Sequence, residues 1–157
     1  HGQQMRLGHV RDGVDGTQMV VISTSRKHGV RTCVFSAKGE VIVELPTAGL
    51  LNVLAWRGDG LQQVALGSSI YDEDAEQIAT LPLDQAADQA GHPWPIEDRL
   101  TWGHTTACDV DGDGLEEMIW VCKSHLAVFG HGNPPSDPQP LPRDETYWLR
   151  IANATRY

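Results

Sequence analysis

The chain has 157 residues, 40% hydrophobic and 21% charged, with 16 Gly and 9 Pro. That describes a turn-rich globular chain of about one domain and excludes a disordered or coiled-coil one. No apolar run approaches the roughly 18 residues of a membrane span, and a formal net charge of −9 opposes a nucleic-acid surface, which needs clustered Lys and Arg.

Charge is unevenly placed along the chain. Residues 1–38 carry six basic and two acidic groups, whereas residues 39–137 carry three and seventeen. Such an excess reads either as a solvated surface or as carboxylates that hold a cation. Cys33, Cys108 and Cys122 have no zinc-site spacing and read as buried small apolar residues. The first residue is His1 and no signal peptide follows it, which reads as a piece of something longer.

In chain order, a degenerate repeat emerges. Asp15-Gly16-Thr17-Gln18-Met19-Val20-Val21, Asp59-Gly60-Leu61-Gln62-Gln63-Val64-Ala65 and Asp113-Gly114-Leu115-Glu116-Glu117-Met118-Ile119 share Asp-Gly, any residue, Gln or Glu, any residue, then two apolar residues. Asp-Gly predicts a tight turn, and the apolar run after it a buried strand. Lys38-Gly39 predicts a hairpin before Val41-Ile42-Val43, and Glu73-Asp74-Ala75 plays that part in the second unit. Leu83 to Ala90 has room for two helical turns on the surface.

The predicted class is therefore all-β, built from β-propeller blades. About three four-stranded antiparallel sheets would form part of a larger ring, since closure takes ~4 to 8 blades. The expected units are a blade over 1–48, a blade over 49–83, an inter-blade loop over 84–99 and a blade with a metal loop over 100–132. Residues 133–157 would form a Pro-rich linker and a last strand, Tyr147 to Ile151. The partners expected on this arithmetic are the remaining blades of the same parent chain.

The sharpest local pattern is Asp109-Val110-Asp111-Gly112-Asp113-Gly114-Leu115-Glu116-Glu117. Carboxylates at the first, third and fifth positions converge where glycines let the backbone coil. The carbonyl at the seventh and an acid at the ninth complete the shell. The expected ligands are Asp109, Asp111, Asp113, Leu115 and Glu117, and their hard oxygens favour Ca²⁺. An EF-hand would need Glu at the twelfth position, where Trp120 stands. The alternative is an Asp/Gly-rich turn that is merely solvated. In unit one His9, Arg11, Asp12 and Asp15, and in unit two Asp59 beside Arg57-Gly58, lack three spaced carboxylates, so one ion is expected.

This loop resembles the calcium loop of integrin-type, or FG-GAP, propeller repeats. More closely, His1 to Val10 with Asp12 and Asp15 to Met19, Trp56 to Gly60 with Leu66 to Asp72, and Gly103 to Gly114 resemble successive units of bacterial propeller-type polysaccharide lyases, the rhamnogalacturonan lyases in particular. The resemblance implies a secreted or periplasmic calcium-dependent enzyme, cleaving acidic polysaccharide by β-elimination in its full-length form. A base would take the proton α to a uronate carboxylate, and a cation would stabilise the charge that develops. His104 and His1, at the starts of predicted innermost strands, with Arg6 and Gln4 beside them, are the candidate catalytic parts. Each also reads as an ordinary surface or hydrogen-bonded residue. Trp94 and Trp102 offer faces to sugar rings, while Trp56, Trp102 and Trp120 also read as filler between blades. The competing functions are a non-catalytic FG-GAP-like propeller that binds glycan or protein, and a structural module.

Overall fold

The computed structural model describes residues 2–25, 29–89, 104–122 and 125–132. These form eleven strands and one short helix, an all-β arrangement in three antiparallel sheets. The first sheet runs β1 (Gly2–Gly8), β2 (Gln18–Ser25), β3 (Gly29–Phe35) and β4 (Val41–Leu45), each strand paired with the next. The second repeats this order with β5 (Leu51–Leu54), β6 (Gln63–Leu66), β7 (Ser69–Tyr71) and β8 (Gln77–Thr80). The third has β9 (His104–Cys108), β10 (Glu117–Cys122) and β11 (His125–Phe129), three strands among the described residues. The strand expected at Tyr147 to Ile151 lies outside them. No described helix is long and apolar enough to cross a membrane.

Both predicted hairpins form, by the same device. Ser36 Oγ accepts the N–H groups of Lys38 and Glu40, and Gly39 takes φ 84°. In the second sheet Asp72 Oδ1 accepts from Asp74 and Glu76, and Ala75 stands at φ 64°. A short side-chain oxygen bonding two to four residues ahead closes each turn.

The sheets meet at their first strands, β1 against β5 and β5 against β9. Pairing of side chains by alternate faces explains the core. Leu51, Val53, Val64, Leu66 and Tyr71 of the second sheet pack on Val20, Ile22, Val34 and Leu45 of the first. Its opposite face, Leu54, Ala65 and Ile70, packs with Ala107, Met118 and Trp120 of the third. Lying between two layers, β5 and β6 are buried at every position, which is why they read as short continuous apolar runs. The helix α1 (Leu83–Gln89) follows Pro82 and lies on the surface as expected, with Asp84, Gln85, Asp88 and Gln89 exposed, while Leu83 and Ala87, one turn apart, enter the second core.

Two expectations are corrected. Cys33 and Cys108 are half-buried, because they lie on sheet faces that no described sheet covers. The repeat also shifts by one residue in the first unit. Gln18 opens β2 as Gln63 opens β6 and Glu117 opens β10, so Gln18 corresponds to Gln63 and Glu117 rather than to Gln62 and Glu116. The loop before β2 is one residue longer than the other two, and its Asp-Gly sits one residue closer to the strand.

Candidate metal centre

The residue that opens the second strand of each sheet reaches back to the turn behind it. Gln18 Oε1 accepts the N–H groups of Val10 and Arg11, at 3.0 and 2.8 Å. Gln63 Oε1 accepts those of Trp56 and Arg57, at 2.9 and 3.0 Å. In the third unit Glu117 Oε2 accepts the Val110 N–H at 2.7 Å. The backbone task is shared, and only the third unit performs it with a charge.

That charge has company. Between β9 and β10 the chain coils through Gly112 (φ 86°) and Gly114 (φ 95°), left-handed positions that favour glycine. The coil folds the acids onto their own backbone: Asp109 Oδ1 accepts from Gly112 at 2.6 Å and Asp109 Oδ2 from Gly114 at 2.9 Å. Asp111 Oδ1 accepts the Asp113 N–H at 3.1 Å. Carboxylate oxygens of Asp109, Asp111 and Glu117 thereby come within 4.8 Å of one another. Oxygens that share one cation must lie within about 4–5 Å of one another, and this triad meets that condition. The acidic triad could hold a metal ion.

Of the other expected ligands, Leu115 would offer its backbone carbonyl, and Asp113 stands apart from the triad. Asp113 is not one of the three converging carboxylates; its Oδ1 accepts the Leu115 N–H at 2.8 Å, and Leu115 is buried. The second unit shows why. There Asp59 Oδ1 accepts the Leu61 N–H at 3.0 Å in the same register, with no acidic triad around it. The fifth-position Asp is thus a turn former in both loops. At the positions of Asp109, Asp111 and Glu117 the second unit has Ala55, Arg57 and Gln63, and the Arg57 guanidinium pairs with Asp72 at 3.1 Å and Glu73 at 3.9 Å. From the first unit Arg11 reaches Asp74 at 3.1 Å and the Glu73 carbonyl at 3.2 Å. One loop carries its own cation; the other assembles carboxylates.

Burial raises the Glu117 carboxyl above its usual range, against the Val110 N–H bond, which lowers it; the charges of Asp111 and Asp113 push it further up. In the metal-free protein, ionised Glu117 therefore costs stability above that raised pKa. The cost is relieved as pH falls through it towards the ordinary carboxylate value. Glu117→Gln should flatten this part of a stability-against-pH curve measured in EDTA, leaving the metal-free variant more stable than the wild type at neutral pH.

Glu116, beside Glu117, has a separate task between sheets. Its Oε2 accepts the Ala55 N–H at 2.7 Å while its own N–H donates to the Ala55 carbonyl at 3.0 Å. Gln62 grips His9 in the same two ways, at 2.9 and 2.7 Å. The legible signal was the polar pair, Gln62-Gln63 and Glu116-Glu117, ahead of an apolar strand: the first member faces the neighbouring sheet and the second its own turn.

Of the candidate catalytic residues, only Arg6 is described in full. His1 lies outside the described residues. His104 opens β9 opposite Val121, and its side chain lies outside the described part. Arg6 stands on β1 opposite Val20, its Nη1 donating to the Met5 carbonyl at 3.0 Å. Strand β5 stands between β1 and β9. Gln4 has a structural use, its Oε1 accepting the Leu51 N–H at 3.0 Å. Trp56 and Trp120 are buried in the second core, with the His131 ring 5.6 Å from Trp56; Trp94 and Trp102 lie outside the described residues. Comparison with known proteins gives no match: no family model, no curated protein and no solved structure matches the chain. The chemistry of this centre therefore rests on its own geometry.

Proposed function

We propose that the chain is a segment of a calcium-binding β-propeller of the polysaccharide-lyase type, which works on acidic polysaccharide outside the cytoplasm. The observation that carries the calcium part is the convergence of Asp109, Asp111 and Glu117 in the loop between the first two strands of a unit, the place such loops occupy in FG-GAP-like repeats. The propeller part is supported by three sheets of one strand order that approach each other at their first strands, as blades do around an axis. Calcium in this reading is structural: it ties the β9–β10 turn and offsets repulsion among close carboxylates. The lyase part rests on the sequence resemblance, with His104, His1 and Arg6 as candidate base and charge-stabilising groups.

The second reading is a propeller of the same kind that binds glycan or protein without cleaving it. The two readings part on one experiment, incubation of the full-length polypeptide with uronate polymers and calcium. Ultraviolet absorbance from unsaturated products is the result expected of the lyase. Retention on the polymer with no such absorbance would replace it with the binding module, and neither result on any uronate polymer would sink the carbohydrate reading.

A further inference from the structure

The acids of the metal loop and the contact between the second and third sheets share one stretch of backbone. Glu117 belongs to the triad, and the residue before it, Glu116, is 2% exposed and holds both backbone groups of Ala55 in the second unit. A second contact starts from Glu117 itself. Its side chain lies against Gly130, where a Cβ would stand 3.5 Å from Glu117 Cγ and 3.9 Å from Oε1. The next residue, His131, sets its ring 5.6 Å from that of Trp56. One triad member and its predecessor thus lead to adjacent residues, Ala55 and Trp56, of the neighbouring unit. The seam between the first and second sheets is built alike but closed differently. Gln62 holds His9 as Glu116 holds Ala55, and beside that grip Arg11 crosses to Asp74 at 3.1 Å. At the second seam Arg57, in the place of Arg11, turns to Asp72 and Glu73 of its own sheet. Counting on from Tyr71 and Phe129, Gly132 stands where Asp74 would be. Where the first seam has a cross-sheet ion pair, the second has an acidic loop on the backbone of its grip.

We infer that an ion held by Asp109, Asp111 and Glu117 locks the third sheet onto the second. The coupling is conformational. Drawing the three carboxylates to one point fixes the backbone from Asp109 to Glu117, and Glu116 lies inside that stretch. The ordering that the grip on Ala55 would otherwise have to supply is then already in place. Linkage makes the effect mutual, so a closed seam in turn tightens the site. The inference rests on the calcium reading of the loop and not on the carbohydrate one. It adds where the stabilisation goes, to one seam rather than to the β9–β10 turn alone. Opening of that seam without the rest of the fold is a local event of the kind that amide exchange reports.

Amide hydrogen exchange of the full-length polypeptide, in EDTA and in saturating calcium, tests it. Calcium should slow the loop amides of Val110, Gly112 and Gly114. It should also slow Ala55 and Glu116 at least about fivefold more than His9 and Gln62, the matching amides of the first seam; fivefold is the lower end of coupling between linked sites. Glu116→Gln keeps an oxygen for the Ala55 N–H, as Gln62 does for His9, and should keep this excess. Glu116→Ala should lose it at the residue-116 amide while the loop amides are still slowed, a difference that a general loss of stability does not produce. Slowing confined to the loop, or equal at the two seams, would overturn the inference and leave the calcium site standing. An excess that survives Glu116→Ala, or one that Glu116→Gln removes, would do the same, since the grip would not be what carries the coupling. No slowing at any of these amides would overturn the calcium reading, and the inference with it.

Discussion

Calcium at a hundred times its dissociation constant should stabilise this protein by about 2.7 kcal/mol, the mass-action increment for a ligand bound by the folded state alone. For a chain of this length that corresponds to a rise in melting temperature of roughly 5–10 °C. The increment should vanish in Asp111→Ala, which removes an exposed member of the triad whose bond from the Asp113 N–H spans only two residues. Loss of that bond costs little, so the variant should melt near the metal-free wild type. Asp113→Ala is the informative contrast. Its carboxylate closes the turn at Leu115 rather than joining the triad, so it should lower stability with and without calcium while leaving most of the increment. Magnesium should give a smaller rise than calcium, since it demands near-ideal octahedral geometry and gives up its water reluctantly. The increment also carries a pH signature. Calcium requires ionised Glu117, whose pKa is raised, so acidification removes the calcium stabilisation as it relieves the metal-free protein; the two melting curves should converge on the acid side. An unchanged midpoint on adding calcium at neutral pH would refute the site.

The parts of this structure legible in the sequence were those governed by local rules. Asp-Gly turns, the Ser36 and Asp72 hairpins and the apolar run after each Asp-Gly follow from backbone preference and alternation, and the sheets were readable to that extent. The register of the first unit was not, because Asp15-Gly16 and Asp59-Gly60 look alike while loops of different length deliver them. Only the task of the next residue, an oxygen for the Val10 or Trp56 N–H, identifies Gln18 with Gln63. The metal loop was legible as a set of acids but not as a division of labour. Spacing assigns Asp113 to an ion as readily as Asp109, while the fold brings Asp109, Asp111 and Glu117 together and turns one Asp113 oxygen to the Leu115 N–H. Arg11 and Arg57 gave no signal of their partners, Asp72 to Asp74, because those contacts link residues far apart in sequence. They account for acids that composition alone left as an undivided surplus. For α1 the surface position was legible but its anchor was not: Leu83 and Ala87 are only two apolar positions, and the core that receives them comes from other sheets.

Trp120→Ala should be the most damaging single substitution in the described core. Trp120 is 1% exposed and packs among Leu54, Ile70, Leu83, Ala87, Ala107 and Met118, joining the third sheet to the second. Truncating a buried Trp costs about 3–5 kcal/mol in lost contacts and cavity, a large part of the ~5–15 kcal/mol by which domains are stable. Thermal or urea unfolding should show it as a loss of roughly 10 °C or more. Trp120→Phe should cost far less, because the indole Nε1 is buried without an acceptor among the described residues. Removing that donor recovers about 1–3 kcal/mol of desolvation against the smaller ring. Equal damage from the two variants would mean that Nε1 has a partner after all. Trp120 also separates the core from the metal loop. It lies three residues beyond Glu117 on β10, and odd spacing along a strand puts the two side chains on opposite faces. The cavity left by Trp120→Ala opens towards α1 and the second sheet, away from the carboxylates. The calcium increment should therefore persist in that variant at close to its wild-type value in free energy, even as the baseline collapses. A lost increment would show that the packing of β10, and not the coil from Asp109 to Gly114, holds the carboxylates in place.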